Sequence, residues 1–208
     1  MSLFEKIFGK APSLDSVTFD HSAYAYQGER NGAKIWFLTE GGGIGLYLIS
    51  RPPNLPTNLS ATSDLQKFYS SQLAAKQRLV EFRVQLIGEV KGVWMITGEI
   101  DLKTGGAVYL GSLTIPFQKF SYVIKVQCQE VGTTGVREAL VTDWALKNGK
   151  ATVNNGRLQM HDIYPEDDQF DHVVPKHPLS RVRNVLRRTI DSLQIDPGVK
   201  AHPRFELP

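Results

Sequence analysis

The chain has 208 residues, with 24 lysines and arginines against 21 aspartates and glutamates, and one cysteine. That length suits one domain or two small ones with a sizeable core. The formal charge of +3 is spread evenly, without the concentrated basic face of a nucleic-acid binder, and a lone cysteine excludes both an intramolecular disulfide framework and a cysteine-based zinc cluster.

Residues 2–8 place Leu3, Phe4, Ile7 and Phe8 on one side at helical spacing. This short amphipathic segment, bounded at 1–14, reads as a first helical turn packed on the domain; contact with a membrane surface is the other reading. No uncharged apolar run reaches the ~18 residues that span a bilayer, and no signal-peptide apolar region opens the chain. A cytoplasmic protein with no integral membrane association is therefore expected.

From 17 to 130 the chain reads mostly as strands. The apolar runs 33–39 and 44–50 flank Gly41-Gly42-Gly43, a hairpin signal. Residues 79–87 alternate, with Val80, Phe82, Val84 and Leu86 on one face and Glu81, Arg83 and Gln85 on the other. The runs 93–101, 107–115 and 122–129 follow after short turns. A parallel crossover needs about a dozen residues, so these connections require antiparallel pairing, and 79–130 forms a four-stranded meander.

Three helices are expected. Residues 64–78 align Leu65, Phe68, Tyr69 and Leu73, and Ser63 and Gln66 have capping-box spacing. Residues 135–148 place Val136, Leu140 and Trp144 together and close at Gly149. Residues 179–194 gather Val182, Val185, Leu186, Thr189 and Leu193 within about 100° of one another, a core-facing stripe. The connection 150–177 is long and polar. The fold class is thus α+β: one domain over 15–195, an antiparallel sheet of six or seven strands with helices packed on it, and a C-terminal tail over 196–208.

Chemical motifs are scarce. The glycines of 41–45 lack the third glycine and the following helix of a dinucleotide fingerprint, and no GxxxxGK[ST] or GxSxG occurs. Cys128 shares strand phase with Tyr122, Ile124 and Val126, which points its thiol into the apolar layer and disfavours the thiolate. Segment 161–177 holds three of the five histidines with Asp162, Glu166, Asp167, Asp168 and Asp171. Imidazole and carboxylate ligate zinc, manganese or iron, so His161, Asp162, Asp171, His172 and His177 are the candidates for a metal-dependent hydrolase. Their spacing matches no ligand pattern, and no cofactor is expected. Arg181, Arg183, Arg187 and Arg188 flank the last apolar stripe, either as an anion cradle or as a helix face neutralised by the loop acids.

The meander and its sequel carry a resemblance. Ile115-Pro116-Phe117, Ser121-Tyr122-Val123-Ile124, the run 130–139 from Glu130 to Ala139, and His177-Pro178-Leu179-Ser180-Arg181-Val182-Arg183 are similar to a bacterial branch of the PsbP-like superfamily. That superfamily includes the photosystem protein PsbP, a Ran-binding nuclear import factor and bacterial DcrB-like proteins. The resemblance implies an α/β/α sandwich and a non-catalytic binding role; the superfamily has no catalytic motif, so no functional residue carries over. The expected function is protein interaction, with a protein partner and no nucleic acid. Tyr164, Phe170, Asp171, His177, Arg181 and Arg183 are the candidate binding residues, because aromatics and arginine dominate protein interfaces. The alternative is that the loop covers the sheet, with Tyr164 and Phe170 inward and Asp171 paired with Arg181 or Arg183.

Overall fold

The computed structural model describes residues 10–154 and 156–206; the amphipathic run 2–8 lies outside the described residues. Along the chain, β1 (Val17–Thr18) precedes β2 (Tyr24–Arg30), β3 (Ala33–Leu38) and β4 (Gly43–Ile49). Helix α1 (Thr62–Ser71) leads into the meander β5 (Gln77–Ile87), β6 (Val90–Ile100), β7 (Ala107–Pro116) and β8 (Ser121–Gln129). Then come α2 (Val136–Lys147), a hairpin of β9 (Ala151–Asn154) and β10 (Arg157–Met160), α3 (Pro178–Ser192), β11 (Gln194–Ile195) and α4 (Pro197–Lys200).

Seven strands form one antiparallel sheet in the order β2-β3-β4-β8-β7-β6-β5. The stretch containing α1 carries the chain from the middle of the sheet to its far edge, and the meander works back until β8 lies beside β4. Period-two geometry then sends alternate residues to opposite faces. Leu46, Ile124, Leu113 and Trp94 stand side by side on the face that α3 covers. Leu179, Val182 and Leu186 of α3 are fully buried there, each contributing ~1.5–3 kcal/mol. Helix and sheet meet so closely at Gly111 that a Cβ would lie 2.5 Å from Val182 Cγ1 and 2.6 Å from Leu186 Cδ1. The whole stripe from Val182 to Leu193 is buried as its spacing predicts, and Cys128 joins the same layer. On the opposite face Leu65 of α1 packs with Phe82, Val84, Val93 and Met95. No helix among the described residues is long and apolar enough to cross a membrane.

Four expectations fail for identifiable reasons. In β5 a bulge between Leu79 and Glu81 puts Val80 in the core under α3, while Phe82 and Val84 face α1. The inserted residue breaks the alternation and leaves Glu81 on the α3 side. Helix α1 begins after Ala61 without a side-chain cap, so the Ser63–Gln66 box does not form, and it ends at Ser71 because residues 72–76 must turn into β5. Helix α2 turns Arg137, Val141 and Ala145 inward, and Val136 and Leu140 stay exposed. The segment 196–206 is no tail. Asp196 N–H donates to the Ser16 carbonyl, Val199 is fully buried, and Phe205 joins the cluster under α1.

Candidate functional site

The 150–177 connection is ordered by burial. A single 3-10 turn at Asp168–Phe170 inserts the Phe170 ring among Val141, Ile163 and Trp144, with ring centroids 5.2 Å from Trp144. That insertion swings the next residue, Asp171, beneath α3. Its Oδ1 accepts from Arg137 Nη2 at 3.1 Å, Arg183 Nη1 at 3.1 Å and the Ser180 hydroxyl at 3.2 Å. Its Oδ2 lies 3.5 Å from Arg187 Nη1.

Arg137, only 1% exposed, is the centre of this latch. It also donates to the Ser180 hydroxyl at 2.7 Å, to the Asp167 carbonyl at 2.8 Å and to the Pro165 carbonyl. Arg183 donates to Glu81 Oε2 at 2.9 Å and to the Glu166 carbonyl at 2.6 Å. Burying a guanidinium is costly, and only a full set of charge-assisted acceptors offsets it. Here the β5 bulge supplies one carboxylate, the loop supplies another, and three loop carbonyls complete the set. The arginines of this latch are internal staples; of the covering alternative, Phe170 lies inward and Asp171 pairs with Arg183, whereas Tyr164 stays exposed.

His177 belongs to the same staple. It is the N-cap of α3, its Nδ1 accepting the Leu179 N–H at 3.3 Å, and its ring stands edge-on to Tyr109. Burial, and after it the Arg137 charge, pushes its pKa down to about 4, so the imidazole is neutral and keeps its acceptor nitrogen.

The candidate metal ligands are dispersed. His161 Nε2 lies 3.3 Å from the Thr152 hydroxyl, Asp162 and His172 point to solvent, Asp171 is held by arginines and His177 caps a helix. Among the described residues no group of three or more histidine, cysteine, aspartate or glutamate side chains converges on one point. Of the candidate binding residues, the fold draws Phe170, Asp171, His177 and Arg183 inward; Tyr164 alone is well exposed, at 63%. Arg181 does not meet Asp171: it donates to the Gly41 carbonyl and its Nε lies 3.5 Å from Glu40. Gly41 and Gly42 take positive φ, the conformation that turns this carbonyl toward α3. Cys128 is buried, and desolvation pushes its thiol up to about 11.

Beside the latch lies an exposed apolar surface, part of it on the face of α2 that its apolar spacing groups together. Val136 and Leu140 on α2, Val131 before it and Val173 on the loop are all exposed. They border a groove of about 490 Å³ that runs between α2 and residues 173–178, with Arg137 and His177 among its lining. Arg137 and Ser180 escape sequence reasoning; the signal that could have found them is the 137/141/145 spacing, which puts Arg137 in phase with two small apolar residues.

No protein-family model matches the chain, and no curated protein matches it. Among solved structures it is similar to the Saccharomyces cerevisiae Ran-binding protein Mog1p, at 10% identity and a TM-score of 0.47, over 86% of this chain and 90% of that one. A point mutant of Mog1 gives 11% identity and a TM-score of 0.48, over 93% and 99%. A crystal structure from Bacteroides thetaiotaomicron gives 8% identity and 0.38 over 73% of this chain, which spans 47% of that one's length.

Proposed function

We propose that the protein is a non-catalytic interaction module whose docking surface is the apolar groove between α2 and residues 173–178. The observation that carries this reading is the placement of Val136 and Leu140, 42% and 41% exposed on the face of α2 that is turned away from the core. With Val131 and Val173 they leave four aliphatic side chains in water around one concave surface. A partner segment with its own aliphatic or aromatic side chain removes that area from water, at about 25 cal/mol per Å². Lys176 at the rim favours an acidic residue beside that apolar anchor. Asp171, Arg137 and Arg183 are held in internal pairs, which leaves this apolar surface as the better basis for recognition than the latch itself.

Benzoylphenylalanine replacing Leu140, irradiated in cells of the native host, tests the proposal. One adduct of defined mass is expected, lost when Val173→Asp is added. The same probe at Leu86, exposed at the other end of the sheet, should give none. No adduct from Leu140, or the same adduct from Leu86, rejects the groove as the docking surface.

A further inference from the structure

The four arginines of α3 divide into two kinds. Arg183 and Arg187 donate hydrogen bonds to carboxylates, Arg183 to Glu81 and Asp171 and Arg187 to Asp168. Arg181 and Arg188 do not. Arg181 Nε lies 3.5 Å from the exposed carboxylate of Glu40, and its one hydrogen bond goes to the Gly41 carbonyl. Arg188 lies 3.9 Å from Asp20 Oδ2, and the other oxygen of that carboxylate is already taken by the N–H and hydroxyl of Ser22.

These two guanidinium groups share a cleft. Positions 181, 184 and 188 are three and four apart and so stack on one stripe of the helix. Arg181, Asn184 and Arg188 line one wall of a cleft of about 230 Å³, and Tyr24, Thr39 and Glu40 from β2 and the β3–β4 turn line the other. Arg181 is nine-tenths buried, which lowers the local dielectric around its guanidinium and strengthens its attraction for an anion. Val185, Leu38 and Ala23 supply the apolar part of the lining.

We propose that this cleft is an anion site for a small phosphate monoester. The planar guanidinium of Arg181 matches two phosphate oxygens, Arg188 supplies the second positive charge, and the Asn184 amide and the Tyr24 and Thr39 hydroxyls are neutral donors for the third oxygen. Glu40 and Asp20 occupy the rim and hold the arginines when no anion is bound; the ligand displaces Glu40 from Arg181. This site is independent of the groove beside α2.

The test is an NMR titration at constant ionic strength with inorganic phosphate and, separately, phenyl phosphate. Saturable shifts are expected at the amides of Tyr24, Glu40 and Gly41, with a Kd of about 1 mM. Arg188→Gln, at a half-exposed position that leaves the fold intact, should weaken binding by about tenfold. Glu40→Gln should tighten it by about threefold or more, because the competing carboxylate is gone. Arg187→Gln, outside the cleft, should leave Kd within about twofold. Phenyl phosphate binding at least as tightly as inorganic phosphate supports an ester ligand using the apolar wall; weaker binding overturns the ester assignment. Shifts that stay linear to about 20 mM, an equal loss in Arg187→Gln, or no tightening in Glu40→Gln overturn the site itself.

Discussion

Replacing Arg137 with methionine isolates the energetic role of the latch. The side chain is buried and gives donors to Asp171, Ser180 and two loop carbonyls, and methionine keeps much of its length without any donor. Removing one partner of a buried ion pair costs about 3–5 kcal/mol, and each carbonyl left without a donor adds about 1–3 kcal/mol. Two features reduce the sum. Asp171 keeps Arg183 and Ser180, and its side chain is 14% exposed, so water reaches it. A net loss of about 3–5 kcal/mol is expected, a large share of the ~5–15 kcal/mol typical of a folded domain. At about 2–4 °C per kcal/mol for a chain of this size, the melting temperature falls by roughly 6–20 °C. Urea unfolding followed by tryptophan fluorescence and far-UV circular dichroism measures it. Hydrogen exchange should show protection lost first over 161–177, with the sheet amides retained. A loss below about 1 kcal/mol, or one without any change in 161–177, would refute the assignment of Arg137 as the staple.

Phe170→Ala should cost about 3–5 kcal/mol by cavity formation, while Tyr164→Ala stays within about 0.5 kcal/mol; equal effects in denaturant melts would contradict their opposite burial. His177 carries a pH dependence whose sign follows from its lowered pKa. The neutral ring is favoured in the folded state, so its contribution is complete above the ordinary value of 6.5 and is lost as pH falls through about 4. His177→Asn, which keeps a capping acceptor that does not titrate, should flatten that part of the stability curve; an unchanged acid limb in a pH series of urea melts would place the titrating group elsewhere.

Sheet and helix stripe are legible in the sequence because each is a local period. The alternation of 93–130 and the spacing of Val182, Val185, Leu186 and Thr189 record which side of one element meets the core, and no distant partner alters that. The candidate site is legible only in composition. That 161–183 concentrates arginine, carboxylate and aromatic side chains is visible, but whether Asp171 faces solvent or Arg137 depends on a helix some thirty residues earlier. The phase of α2 misleads for the same reason. Valine and leucine at 136 and 140 mark an inward face if hydrophobicity decides, whereas four acceptors waiting for one guanidinium decide instead for Arg137. The bulge at Val80 is likewise hidden, since a valine satisfies either face of a strand, and only the unpaired residue between Leu79 and Glu81 shows the slip.

The pairing of β4 with β8 sets the order in which the sheet can assemble. Hairpins β5–β6, β6–β7 and β7–β8 join neighbours in sequence, as do β2–β3 and β3–β4, so both halves form from local contacts. The seam that unites them sets Ile44 opposite Val126 and Leu46 opposite Ile124, and it closes a loop of most of the intervening chain. Such a closure costs loop entropy before its contacts form and raises the contact order. Because β4 precedes β8 by most of the meander, residues 43–49 are synthesised well before the strand that pairs with them. Gly43 and Gly45 lower the β-propensity at the start of β4, whose remaining five residues are apolar or aromatic strand formers.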